Sequence, residues 1–464
     1  MHNPVHRVVF VLSCITLVLS CGGPEQIQAE LTLGEPTGNT IKNLMGVNAG
    51  PVSTTDSTRS LDVTAGYREI GINLIRTNDY YGAFDMCVMY PDQSADPSNS
   101  QSYNFTESDR VFSAIIEGGF IPYIRLGNSW GPTDNFNPPF PRIPDNFENW
   151  SLATVEIVRR YSDTLRWGND IKLKYVEIWN EPNSQAFWNG TTEEFCRLYA
   201  TTAVLLKSEF PDLMIGGPGF SPQVFASPAG KFMPVKFLTY IRDNNIPLDF
   251  ISWHIYTNDP IEFANAAHYY DSLAGSLEFS QVEFHNTEWS TLAALEDPQY
   301  QDLKMGGLGA SIITGIWITM QDVPLNIATI YRGNEPLEPV PVSLNFGLFD
   351  TTGTPRRMAL AMNLWGRMVL FSEIIEISIT GVDGSEIKGI SCIAGTNEIG
   401  QIAILIANST ANDIVIGQLP ECILKENRFV VFEVNDESSE IQIESEPDNH
   451  LEISSRSVVF IAPE

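Results

Sequence analysis

Two segments of the chain end an apolar, β-branched run in a glutamate. One is Tyr175-Val176-Glu177-Ile178-Trp179-Asn180-Glu181-Pro182, and the other is Val282-Glu283-Phe284-His285-Asn286-Thr287-Glu288-Trp289. Such runs read as strands, and Asn-Glu-Pro breaks the first of them, so Glu181 stands where its strand opens into a loop. Glu288 stands at the same place on the second. The chain holds 57 Asp and Glu, most of them plain surface charge, and strand-end position separates these two from the rest. Two carboxyl groups facing each other across a cleft can break a glycosidic bond: one protonates the leaving oxygen while the other attacks the anomeric carbon.

A scaffold must hold such a pair, and the hydrophobic pattern describes one. From about residue 43 to 370, short apolar runs alternate with longer amphipathic stretches, which is the pattern of repeated βα units. The candidate strands are Leu44 to Asn48, Asn73 to Thr77, Ile121 to Leu126, Tyr175 to Trp179, Met214 to Gly217, Phe250 to His254, Val282 to Thr287 and Ala328 to Tyr331. Eight strands, each followed by a helical segment, match an α/β fold of the (β/α)8 TIM-barrel type, whereas a doubly wound sheet normally stops at about five to seven. The loops after the strands form the active face of such a barrel, which sets Glu181 on the fourth strand opposite Glu288 on the seventh.

Helices are expected over Ser151 to Arg166, Thr192 to Ser208 and Leu303 to Thr319, and Thr106 is expected to cap a helix over Glu107 to Glu117. Three loops on the active face are long: 79–103, 128–147 and 332–354. They carry Tyr80, Tyr81, Phe84 and Trp130 as candidate stacking faces for a sugar ring. After about Leu370 the period changes to two, through Glu373 to Ile379, Ile402 to Ala407, Phe429 to Glu433, Ile441 to Glu444 and Ser457 to Ile461. This reads as a C-terminal β-sandwich domain over 371–464 behind a barrel over 43–370, with the strand-like Glu30 to Leu33 of segment 21–42 placed to pair with the sandwich.

Around the two glutamates the sequence resembles glycoside hydrolase family 39, a family of retaining (β/α)8 glycosidases that includes β-xylosidases and α-L-iduronidases. The matching residues are Gly46-Val47-Asn48-Ala49-Gly50-Pro51, Tyr103-Asn104-Phe105-Thr106, Trp179-Asn180-Glu181-Pro182-Asn183 followed by Phe187-Trp188, Gly216-Gly217-Pro218, Asp249-Phe250-Ile251-Ser252-Trp253-His254 and Asn286-Thr287-Glu288. They span nearly the whole barrel in order. The resemblance implies Glu181 as acid/base and Glu288 as nucleophile, and the late strands resemble the β-sandwich that accompanies this family's barrel.

Supporting roles follow from the chemistry as well as from the resemblance. Asn180 is placed to hydrogen-bond the sugar 2-hydroxyl. His254 and Tyr256 can reach the nucleophile or a substrate hydroxyl, Arg76 can hold Glu288 ionised, and Trp289 is a candidate stacking platform. The family usually reads Arg-x-His after the second strand, but this chain has Arg76-Thr77-Asn78. Asn78 keeps hydrogen-bonding capacity and loses the titratable ring, which puts sugar specificity, rather than reaction type, in question.

The ends and the charge set the surroundings. Residues 1–20 carry Arg7 and an apolar run from Val8 to Val18, too short to span a bilayer, and read as a signal peptide. Val18-Leu19-Ser20-Cys21-Gly22-Gly23 resembles the lipobox of bacterial lipoproteins, with Cys21 as the lipidation site, so an exported, lipid-anchored envelope protein is expected, otherwise a secreted one. Membrane contact is expected through that anchor alone. With 27 Lys and Arg the net charge is −30, which excludes a dedicated nucleic-acid binder. If Cys21 is lipidated and Cys14 removed, four cysteines remain, which permits disulfides, with Cys392 and Cys422 in the same β-rich region. No Cys/His spacing suits a metal, so no metal or cofactor is expected and the partner is a carbohydrate substrate. The competing reading is a surface lipoprotein that binds glycans on a decayed barrel; loss of either strand-end glutamate would favour it, and both are present.

Overall fold

The computed structural model of the protein describes residues 26–53, 61–78, 82–129, 143–168, 171, 173–294, 297–335, 346–424, 429–445 and 450–464. The signal segment, Cys21, Tyr80, Tyr81 and Trp130 lie outside them. Strand β1 spans Gln26–Thr40, and eight strands then close into a parallel barrel: β2 (Gly46–Asn48), β3 (Leu74–Arg76), β4 (Ile121–Leu126), β5 (Tyr175–Ile178), β6 (Met214–Phe220), β7 (Phe250–Tyr256), β8 (Glu283–Ser290) and β9 (Ile327–Ile330). β9 pairs back to β2. All eight expected strands are present.

Side chains alternate across each strand, so one set fills the barrel and the other meets the helices. The filling divides by height. Leu74, Tyr123, Tyr175, Phe250 and Ile327 form an apolar plug at the amino-terminal end. Two residues further along the same strands, the inward positions turn polar, with Arg76, Glu177 and Ser252 buried, and His254 follows two residues after Ser252. A strand that carries a charge inward needs a partner on another strand, and the mouth of the barrel is where these partners meet.

The helices differ from expectation in their breaks and caps. The stretch expected as Ser151–Arg166 is two helices, Phe147–Tyr161 and Thr164–Trp167, because the Asp163 carboxylate accepts from Leu165 N and starts a new one. Leu303–Thr319 is likewise divided into Tyr300–Met305 and Gly307–Met320. At that break Asp436 of the late sheet accepts from Gly307 N at 2.6 Å. Thr106 does not cap its helix; it is the first helical residue, and its N–H donates to Asn104 Oδ1 at 3.2 Å. Thr192–Glu209 opens on a capping box between Thr191 and Glu194. No helix among the described residues is long and apolar enough to cross a membrane.

The late strands are β10 (Glu373–Gly381), β11 (Ile390–Thr396), β12 (Ile402–Asn408), β13 (Asp413–Ile416), β14 (Phe429–Val434), β15 (Gln442–Ser445), β16 (Leu451–Ile453) and β17 (Ser457–Pro463). With β1 they form one nine-stranded ladder in the order β15-β14-β17-β12-β11-β10-β1-β13-β16. The sandwich layering arises because this sheet curls. Ile414, Ile416, Leu451 and Ile453 from one end share a buried cluster with Ile404, Ile406, Val459 and Ile461 from the middle. β1 runs antiparallel to β10 and ties the segment before the barrel into this sheet. Arg456 Nη1 donates to Asp302 at 2.9 Å and Arg357 Nε to Asn435 O at 2.8 Å, joining sheet to barrel. Cys87, Cys196 and Cys392 are free thiols, so Cys392 is not in a disulfide.

Candidate active site

The carboxyl end of β5 is built from strained backbone. Trp179 has φ 82° and Glu181 φ 50°, a left-handed conformation unusual for bulky residues that persists only where the surroundings enforce it. Here Trp179 is wedged between Trp150 and Trp188, with ring centroids 5.6 and 5.2 Å away. Glu181 N donates to Gly219 O at 3.0 Å. Gly219 itself has φ +65°, and a Cβ there would lie 3.0 Å from His254 Nε2 and 3.3 Å from Glu177 Oε1, so only glycine leaves room for both side chains.

β8 delivers the second glutamate through an irregularity. Trp253 pairs with Asn286 but His254 pairs with Glu288, so Thr287 is an extra residue in the ladder. A bulge of this kind re-aims the side chains that follow it. Thr287 Oγ1 donates to Glu177 Oε1 at 2.9 Å and Glu288 also faces the barrel mouth, although the two are consecutive. Trp289 is thereby turned outward.

Arg76 is the hub. Its Nε donates to Glu177 Oε2 at 2.7 Å, Nη1 to Asn48 Oδ1 at 2.9 Å and to Glu288 Oε1 at 3.0 Å, and Nη2 to Asn180 Oδ1 at 2.9 Å. Glu288 is further held by Asn78 Nδ2 on Oε1 at 2.6 Å and by Tyr256 OH on Oε2 at 2.9 Å. Glu181 is bound differently: Oε1 lies 2.7 Å from His254 Nδ1. Atoms of Glu181, His254 and Glu288 lie within 4.8 Å of one another, so the two carboxyl groups are close. That is the compact spacing of a retaining pair, not the gap of about 6.5–9.5 Å that admits a water between inverting carboxylates.

Electrostatics separate the two acids. Burial, then the charge of Glu288, pushes Glu181 well above the ordinary glutamate range, with Arg76 opposing. Burial raises Glu288 as well, but Arg76 and the hydrogen bonds from Tyr256 and Arg76 pull it back. Burial and the nearby Arg76 charge keep His254 well below the ordinary histidine range, so its ring is neutral. Burial and the Glu288 charge keep the Tyr256 hydroxyl protonated and donating. The same three residues offer atoms at metal-ligating distance, but the Arg76 guanidinium, 3.0 Å from Glu288, opposes a divalent cation there.

Of the residues singled out in the sequence, Arg76, Asn78, Asn180, Glu181, His254, Tyr256 and Glu288 converge on this one mouth. Trp289 does not. It is 1% exposed and packs edge-on against Trp317, because alternation past Glu288 sends it into the helix layer. Phe84 is likewise core, with its ring centroid 5.0 Å from that of Tyr161. Glu177 and Asn48 escaped the sequence reading. The signal for Glu177 was its place two residues after Tyr175 on an inward-facing strand, where a buried carboxylate demands a cation. A further buried ion pair, Arg125–Asp85 at 2.6 Å, lies beside this network: Arg125 is registered with Glu177, and Ser129 Oγ also donates to Asp85 at 2.7 Å.

Comparison with known proteins agrees with this geometry. The family model "Glycosyl hydrolases family 39" matches residues 42–330. The chain is 26% identical over 373 residues to a β-xylosidase of Caldicellulosiruptor saccharolyticus, covering 73% of this chain and 70% of that one. Its fold is similar to a solved glucosidase from Croceicoccus marinus, with TM-score 0.70 at 20% identity over 94% of this chain and 98% of the other. A β-xylosidase from Caulobacter crescentus gives 0.66 at 16% identity over 95% and 100%. The match over most of the barrel, with two close carboxyl groups at its mouth, shows that the chain belongs to glycosyl hydrolases family 39 and is a retaining glycoside hydrolase.

Proposed function

We propose that the protein cleaves glycosidic bonds of extracellular oligo- or polysaccharides by double displacement, with Glu288 as nucleophile and Glu181 as acid/base. The observation that carries this assignment is the asymmetry of their partners. Glu288 receives hydrogen bonds from Arg76, Asn78 and Tyr256, donors that favour the anion an attacking carboxylate must be. Glu181 faces a neutral imidazole at 2.7 Å, whose unprotonated Nδ1 can accept a hydrogen bond from the protonated carboxyl. Its higher proton affinity suits the group that must arrive protonated.

In the first step Glu288 attacks the anomeric carbon as Glu181 gives its proton to the leaving oxygen. Glu181, now ionised, takes a proton from water in the second step as that water displaces Glu288. The Oδ1 of Asn180 is bound by Arg76, which turns its amide donor toward a sugar hydroxyl in the mouth. Purified protein assayed on nitrophenyl glycosides and a polysaccharide panel tests the reading. Hydrolysis that Glu288→Ala abolishes supports it, and undiminished hydrolysis by that variant rejects it.

We also propose that the chain is exported and anchored through lipid on Cys21, on the strength of the apolar run and Ser20-Cys21-Gly22-Gly23. Expressed in a lipoprotein-competent bacterium, it partitions with membranes while Cys21→Ser does not. An unmodified mature terminus elsewhere, seen by mass spectrometry, overturns this.

A further inference from the structure

The mouth of the barrel is unequally enclosed around the two glutamates. On the Glu288 side, Arg76, Asn78 and Tyr256 crowd the carboxylate, and Tyr331 and Phe346 pack edge-on against Tyr256 with ring centroids 6.4 and 6.1 Å from it. Among the described residues the Glu181 side chain is the more exposed of the two, 14% against 8% for Glu288. Pro182 and Asn183, the two residues that follow Glu181 in the chain, line a cleft of about 480 Å³ between the loop after β5 and the loop after β6. Asn183 and Ser221 pin those two loops together, Asn183 Nδ2 donating to Ser221 Oγ and Ser221 N to Asn183 Oδ1, each at 2.9 Å.

The lining has a definite chemistry. Gln223 and Ser227 supply amide and hydroxyl groups, Asn183 being engaged with Ser221, and among the described residues no Asp, Glu, Lys or Arg lines it. That is notable in a chain of net charge −30. Phe232 also lines the cleft and is 62% exposed, so a large aromatic side chain is presented to it. Lys236 lies over the Phe232 ring at 5.3 Å, which steadies the ring while most of it stays open. Neutral amides together with an exposed ring match neutral sugar units, whose hydroxyls need donors and acceptors and whose C–H faces stack on aromatics. The volume falls within the range of about 300–1,000 Å³ common for ligand sites.

Position assigns the occupant. The acid must touch the glycosidic oxygen, so the leaving part of the substrate continues past Glu181, away from the enclosed Glu288 side. We propose that this cleft binds the leaving-group end of a neutral oligosaccharide, with Phe232 as its stacking platform, so that the enzyme is adapted to chains longer than a disaccharide. This rests on the assignment of Glu181 as the proton donor.

The test compares kcat/KM on a nitrophenyl glycoside with kcat/KM on the di-, tri- and tetrasaccharide of the same sugar, the xylo-series first. Wild-type kcat/KM rises about 10-fold or more with chain length. Phe232→Ala and Gln223→Ala lower the ratio of tetrasaccharide to nitrophenyl-glycoside kcat/KM about 10-fold. No rise with length, or equal loss on both substrate types, overturns the proposal. Calorimetry of tetrasaccharide binding to Glu288→Ala, with and without Phe232→Ala, separates the two readings. Weaker binding on loss of Phe232 supports the cleft even where turnover is absent, and unchanged binding rejects it. Failure of the acid/base assignment is read separately, from whether Glu181→Ala keeps turnover of a dinitrophenyl glycoside that needs no acid while losing turnover of the tetrasaccharide.

Discussion

Asn78 donates to Glu288 Oε1 at 2.6 Å, the shortest of the three side-chain hydrogen bonds that hold Glu288, the proposed nucleophile. The family's usual histidine would place a titratable ring here, whereas Asn78 is a neutral donor at every pH. Asn78→Asp sets a second carboxylate against Glu288 and raises the proton affinity of the nucleophile. The acidic limb of kcat/KM moves to higher pH, and the maximum falls about 10- to 100-fold, as expected for losing a hydrogen bond to a charged group worth about 1.5–3 kcal/mol. A pH profile with an unmoved acidic limb shows that Asn78 does not act on Glu288.

Both acids are raised by burial, Glu181 the more strongly. The pair therefore titrates in two steps, activity appearing as Glu288 loses its proton and disappearing as Glu181 loses its own. The rising limb of kcat/KM lies above the free glutamate value of about 4.3, with the optimum on the acidic side of neutral. Glu181→Gln, assayed on a dinitrophenyl glycoside that needs no acid, loses the falling limb and keeps the rising one. Retention of both limbs contradicts the assignment.

Azide distinguishes the two roles by product. Glu181→Ala still forms the glycosyl-enzyme from activated substrates, and azide attacks it to give a glycosyl azide of retained configuration. Glu288→Ala leaves a space beside the anomeric carbon, and azide entering it gives the inverted azide. Proton NMR of the products reads the anomer, and swapped configurations reverse the roles.

The raised Glu181 carboxyl also costs stability. A group that holds its proton more tightly folded than unfolded contributes stability below its unfolded pKa, and that contribution is lost as pH rises through the folded value. Above the folded value the wild type has lost it, and Glu181→Gln has no proton to lose. Calorimetry on the alkaline side of the falling limb of the activity profile should show the variant melting about 1–2 °C above wild type, a shift scaled to a chain of 464 residues. The gap closes toward about pH 4, where the unfolded carboxyl is also protonated. A gap that widens on acidification is the opposite sign and rejects the account.

What the sequence determined by itself was whatever repeats along the chain. Eight β-branched runs between amphipathic stretches, and the change to period two after Leu370, specify a barrel and a late β-domain because burial depends on periodicity, which is local. Glu181 and Glu288 were legible for the same reason, as charged residues placed where apolar strands stop. The tertiary structure decided which faces meet. The one-residue bulge at Thr287 turns Thr287 and Glu288 inward together and sends Trp289 into the helix layer, a shift of register that no spacing rule foretells. Glu177 became part of the site only when barrel closure brought Arg76 to within 2.7 Å of it. The break at Gly306 depends on Asp436, 130 residues later. Contacts between distant positions carry no local signature, because they depend on where two strands end in space and not on the residues beside them.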